Sequence, residues 1–197
     1  MRILLTALTL LALAPPPVAA APMSDGERTR LLAHLDMTEG WLTSELEGLT
    51  RTQLRYRVTP DAWSIMDVVE HLAIAEPQYW QNLQDSLAGP IVPDYKPEAT
   101  DAGIMWYGID RSHRSKTGDA RVPHGKYSDV KDSLADFRKL RGTMKDYATA
   151  TSDDLRGRPL KDGNMDVYQW FLMISAHAQR HILQIRAIKA SAGFPKR

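Results

Sequence analysis

Cysteine is absent from all 197 residues. That excludes disulfides, thiolate metal sites and a lipid anchor on an N-terminal cysteine, so the fold must rest on its apolar core, with or without help from a metal. An excess of charge of either sign is also missing, since 25 Lys and Arg stand against 24 Asp and Glu. Such a balance favours neither nucleic acid as a partner nor an acidic substrate. Internal repeats are missing, and no segment alternates apolar and polar residues as a half-buried strand does.

The one long apolar run is N-terminal. Met1-Arg2 supplies a positive charge, Ile3 to Ala14 is apolar, and Val18-Ala19-Ala20-Ala21 provides small residues. This order reads as a secretory signal over residues 1–21, cleaved after Ala20 or Ala21. Pro15-Pro16-Pro17 ends the run well short of the roughly 20 residues a bilayer span needs, which disfavours an uncleaved anchor. The expected mature protein is exported to a periplasmic or extracellular location and carries a single domain over residues 22–197.

Four segments carry helical periodicity, so the expected class is all-α. The first opens with the capping pair Ser24 and Glu27 and repeats Leu31, Leu35, Thr38, Leu42, Glu45 or Leu46, and Leu49 on one face. The second starts at Ser64, with Asp67 in the capping arrangement, and runs towards Leu87 before Gly89-Pro90; Pro77 predicts a kink or a break inside it. A connection over 89–127 is too long for a tight turn and must cross the bundle or carry function. The third helix is expected near Ser128, with Asp129 in its first turn, and presents Val130, Leu134, Phe137, Leu140, Met144 and Tyr147. After a turn through Thr151 to Gly163, the fourth begins at Asp166, paired with Gln169, and continues to about Ala190.

On the fourth helix Trp170, Ile174, His177, His181, Gln184 and Ile188 share one stripe. Two histidines four residues apart on one face can present two imidazole nitrogens to a single ion, but a pair hydrogen-bonded at a bundle end has the same spacing. A metal needs a third ligand from elsewhere. Spacing leaves His71, on the second helix, and His34, on the first, as equal candidates, whereas His113 and His124 fall in the connection and read as solvated. Gln184 and Asp67 lie one turn from His181 and His71 and are candidates to orient those rings, although for Asp67 capping its helix is the stronger reading. Trp63 is a candidate pocket wall. Arg111-Ser112-His113-Arg114-Ser115-Lys116 reads as a solvated loop, with guidance of an anionic substrate as the alternative.

Several motifs resemble those of the DinB-like superfamily. Pro60-Asp61-Ala62-Trp63-Ser64 leading into Val69-Glu70-His71-Leu72 is similar to the start of its second helix, and Ser175 to Ile185, with His177 and His181, to its last helix. Asp153-Asp154-Leu155-Arg156, Asp166 to Trp170 and Gly193-Phe194-Pro195-Lys196 extend the likeness over essentially everything after the leader. The resemblance implies a four-helix bundle with a long crossover between its second and third helices. It also implies a divalent metal, zinc or nickel, on His71, His177 and His181, with an open coordination position. By that likeness His71 takes precedence over His34. The functions it leaves open are a thiol-dependent transferase, a metal-dependent hydrolase, and a non-catalytic protein in which metal supports the fold. The expected partner is a small molecule of unspecified identity; neither nucleic acid nor stable membrane insertion after leader removal is expected, and a homodimer is left open.

Overall fold

The computed structural model describes residues 21–113, 117–161 and 163–196. The expected leader therefore lies, but for Ala21, outside the described residues, as do Arg114, Ser115 and Lys116 of the basic run. Four long helices make the bundle: α1 (Asp25–Leu46), α3 (Ile65–Leu87), α5 (Val130–Ala150) and α6 (Val167–Lys189). Two short helices, α2 (Arg51–Arg55) and α4 (Asp101–Tyr107), and a 3-10 turn over Asp119–Arg121 lie in the connections. Among the described residues there is no strand, only an isolated bridge between Pro159 and Asp166.

The helix starts lie close to where the capping residues place them. Ser24, Ser64 and Asp166 each accept from the backbone N–H three residues on, and Glu27, Asp67 and Gln169 return the bond to the cap. Helix α5 starts later than expected, because Asp129 is its cap rather than a first-turn residue. Pro77 does not break α3, which runs through it to Leu87. Burial of that helix against α5 and α6 holds it together despite the missing donor. The unforeseen α2 has its own capping box, Thr50 with Gln53, and α4 has Thr100 as its cap.

Helices α1 and α3 each pack against both α5 and α6. Pairings such as Glu76 with Arg141 and Thr38 with Ser175 give the directions: α3 runs parallel to α5 and α1 parallel to α6, and the two pairs oppose each other. The order is up, down, down, up. Consequently the chain between α3 and α5 must return along the whole bundle, and it does so over α3 and α6. Helix α4 approaches α6 closely at Gly108, where a Cβ would stand 2.9 Å from the Ala176 carbonyl oxygen.

Two apolar clusters fill the interior. One gathers Leu31, Leu35, Trp80, Leu83, Met144, Tyr168, Phe171 and Leu172. The other gathers Leu42, Ile65, Val68, Val69, Leu72, Phe137, Ile182 and Ile185. A buried polar set, Thr38 with Ser175, His34 with Gln179, and Glu76 with Arg141, also lies inside the bundle. Arg141, on the apolar face expected for α5, is fully buried and reaches Glu76 at 2.5 Å.

Candidate metal centre

His71 comes from the second turn of α3, and His177 and His181 sit one turn apart on α6. Because α3 and α6 are antiparallel neighbours, the three rings meet. His177 Nε2 lies 3.2 Å from His71 Nε2 and 3.2 Å from His181 Nε2, and the group's ligand nitrogens are all within 4.8 Å of one another. This cluster is one that could hold a metal ion.

Proton placement tells what the cluster needs. His71 Nδ1 is 2.7 Å from the carbonyl oxygen of Arg121, an atom that can only accept, so the proton of that ring is on Nδ1 and its Nε2 offers a lone pair. His181 Nδ1 is held in the same way by Gln184 Oε1 at 3.0 Å. His177 Nδ1 is buried without a hydrogen-bond partner. A proton on His177 Nε2 could serve only one of the two lone pairs facing it, whereas a cation shared by all three satisfies the set. Charging the rings themselves is not an alternative. Burial lowers the pKa of His71, pushes His181 down to about 3 and holds His177 well below the usual imidazole value, with the neighbouring imidazoles and arginines adding to the effect on His177 and His181. Three neutral nitrogen donors, two of them with fixed tautomers, fit a borderline divalent ion such as zinc or nickel.

The rings form the floor of a pocket of about 770 Å³. Trp63 stands beside it, stacked on His181 at 6.3 Å between ring centres and 5.0 Å from His71, and Tyr79 meets His177 edge-on at 5.1 Å. Tyr107, Arg111, Arg121 and Arg180 complete the far wall, and no described Asp or Glu lines it.

The other candidates are distributed as follows. His34 turns to Gln179 Oε1 at 3.1 Å and takes no part in the cluster. His113 and His124 are exposed, His113 on the pocket rim. Gln184 touches His181 as its position suggested. The orienting role considered for Asp67 is not the one it has: its carboxylate is engaged by Ser64, which it caps, and by Arg57 at 2.7 Å. The Arg121 carbonyl takes that role for His71, and no sequence signal points to it, because it depends on where a long connection lands. Tyr79, two turns beyond His71 on the same helix face, was readable from spacing. Glu70 was not: its buried carboxylate accepts from the N–H groups of His124 and Lys126 at 2.8 and 3.0 Å and pins the connection beside the site.

The family model of the DinB superfamily matches residues 14–185. This chain belongs to the DinB superfamily. Within it, a similar solved structure is YfiT from Bacillus subtilis, described as a probable metal-dependent hydrolase with an unusual four-helix bundle topology. The likeness has a TM-score of 0.60 at 19% identity and covers 94% of this chain and 97% of that one, so it shows a shared fold. No curated protein matches this DinB-superfamily sequence.

Proposed function

We propose that this DinB-superfamily protein is a metal-dependent hydrolase in which His71, His177 and His181 hold a zinc or nickel ion. The observation that carries the reading is the meeting of three imidazole Nε2 atoms, two with their tautomers fixed from behind, on the floor of an open pocket. A structural zinc site closes its coordination with protein, whereas a catalytic one keeps a position for water or substrate. Bound there, a divalent ion supplies Lewis acidity, which polarises a substrate carbonyl or lowers the pKa of water. The chain's own part is to present the nitrogens unprotonated, to keep the rings aligned through the Arg121 carbonyl and Gln184, and to wall the cleft with Trp63 and Tyr79. The description of YfiT as a probable metal-dependent hydrolase agrees with this reading.

The test is a panel of ester and amide substrates with the full chain, metal-loaded and chelator-stripped. Metal-dependent turnover without added thiol is expected. Turnover only with a low-molecular-weight thiol would replace hydrolase by transferase. No turnover, together with a melting temperature that falls on metal removal, would mark the ion as support for the fold.

The same proposal places the protein outside the cytoplasm after removal of the leader, supported by the order of charge, apolar run and small residues. None of the described helices is long and apolar enough to cross a membrane. Intact mass of protein from its native host should start at Ala21 or Pro22, according to whether cleavage follows Ala20 or Ala21; a retained Met1 would contradict export with cleavage.

A further inference from the structure

We infer that the pocket above the histidines takes an organic carboxylate with an apolar body, and that the Arg121 guanidinium is the group that receives the carboxylate. The inference deepens the hydrolase reading, because it names the substrate class of that same site.

Its first ground is charge. The described lining includes Arg111, Arg121 and Arg180 and no carboxylate, so no acidic side chain in the lining offsets their charge. The three arginines are not equivalent. Arg180 gives its Nη groups to the carbonyls of Tyr107, Asp110 and His113, and Arg111 Nη1 bonds the Arg180 carbonyl at 2.7 Å. Those two tie the connection to α6 and close the rim. Arg121 differs: its Nε–H is buried and has no partner, and its guanidinium lies over the Tyr79 ring, 5.4 Å from the centre. Among the described residues no hydrogen bond engages its Nη groups either, and these, rather than the buried Nε–H, are the donors Arg121 can offer a ligand in the cleft.

The second ground is position. The Arg121 backbone carbonyl holds the His71 ring, so the residue that fixes one histidine also carries the unmatched cation into the same cleft. Anchoring is firm: Glu70, next to His71, binds the chain at His124 and Lys126, and Gln78 reaches the Ala120 carbonyl at 3.2 Å. The planar guanidinium matches the two oxygens of a carboxylate. The third ground is the remaining wall. Val58, Ala62, Trp63, Ala187 and Ile188 are apolar and suit a hydrocarbon or aromatic body rather than a second charged group.

Benzoate, neutral benzamide and inorganic phosphate serve as probes, titrated calorimetrically into the chelator-stripped full chain and into the zinc-loaded chain. Stripped protein should bind benzoate at least about tenfold more tightly than benzamide, the size expected for a charge-assisted hydrogen bond. Benzoate should also exceed phosphate, which cannot use the apolar wall. Arg121→Gln leaves the backbone carbonyl in place and should erase the preference over benzamide, and Arg121→Lys should restore part of it. Equal binding of benzoate and benzamide by the stripped wild type, an unchanged preference in Arg121→Gln, or phosphate binding above benzoate would overturn the inference. Metal content, measured on the same samples, separates the two readings. A carboxylate preference without stoichiometric metal defeats the hydrolase reading alone, and stoichiometric metal without the preference defeats this inference alone.

Discussion

Two polar clusters in this bundle have the same number of like members and opposite solutions. Near the N-termini of α1, α4 and α6, the carboxylates of Glu27, Asp101 and Asp166 converge on Arg156, at 2.8, 2.6 and 3.0 Å, and the guanidinium also covers the Tyr168 ring. Elsewhere along α6, three imidazoles converge with no cation of the chain's own among them in the described residues. The first cluster brings its counter-charge in the sequence and is complete. It satisfies acids that already sit favourably at helix N-termini and locks three elements together. The second turns three imidazole lone pairs, two of them fixed by hydrogen bonds behind the ring and all on rings with lowered pKa values, towards the pocket in front of it. The difference teaches that burial of polar groups does not mark function by itself. What marks it is an arrangement whose charge requirement the chain leaves unmet.

The pair Glu76 and Arg141 sharpens the contrast, since both side chains are fully buried and bonded to each other, yet Glu76 Oε2 and Arg141 Nε and Nη1 stay without partners and neither residue lines the histidine pocket. Burial outweighs the attraction of Arg141 and raises the Glu76 pKa to about 7. Glu76→Ala strands a buried guanidinium and should cost about 3–5 kcal/mol in denaturant unfolding. The double change of Glu76 to Leu and Arg141 to Met should recover most of that loss. If the double variant lost metal as well as stability, the pair would belong to the site and not to the scaffold.

Removing the hub cation is the next largest effect. Arg156→Ala should lower stability by about 2–3 kcal/mol, the scale of lost charged hydrogen bonds, while leaving metal stoichiometry unchanged. Loss of metal in that variant would break the separation between the clusters.

Acid should distinguish them by pH window. His181, folded, is held down at about 3 against 6.5 when free, so the unfolded chain binds the proton first. The stability this ring contributes is present above 6.5 and is lost as pH falls below that value. His181 is partly open to the pocket, and with that discount the stability lost by pH 5 is about 1–2 kcal/mol in metal-free protein. At the hub, hydrogen bonding to Arg156 lowers the pKa of Asp101. Glu27 is lowered too, although burial alone would raise it, because its bonds to Ser24 and Arg156 prevail. The contribution of those two is intact at pH 5 and lost only as pH falls below about 4, whereas burial raises the pKa of Asp166 in spite of Arg156. Metal-free unfolding curves that stay flat from pH 7 to 5 would contradict the histidine part.

Gln184→Ala tests the histidine cluster through zinc affinity alone. Freed of its acceptor, His181 should bind zinc roughly 10–100-fold more weakly with stoichiometry kept.

Much of this was legible in the sequence, for physical reasons that can be named. Ser24, Ser64 and Asp166 mark helix starts because an orphan N–H must find a nearby side-chain acceptor, and that requirement is local. His177 and His181 share a face because of the helical repeat alone. His71 and His34 could not be separated by spacing, since the decision belongs to which helices are neighbours and in which direction they run. The likeness to the superfamily favoured His71, and the antiparallel packing of α3 on α6 brings it to the pair. Asp67 shows the opposite limit: a carboxylate one turn from His71 could orient the ring, but capping was the stronger reading from the sequence, and the short reach to Ser64 prevailed. Arg121 and Glu70 were invisible because their partners lie 50 and 54 residues away along a connection without periodicity.

The most direct measurement is a zinc titration of the chelator-stripped full chain at neutral pH, run beside His177→Ala. The wild type should take up one ion per chain and the variant, with two of its three nitrogens left, none stoichiometrically. Full uptake by His177→Ala, or no uptake by the wild type, would contradict a metal centre built on these three histidines.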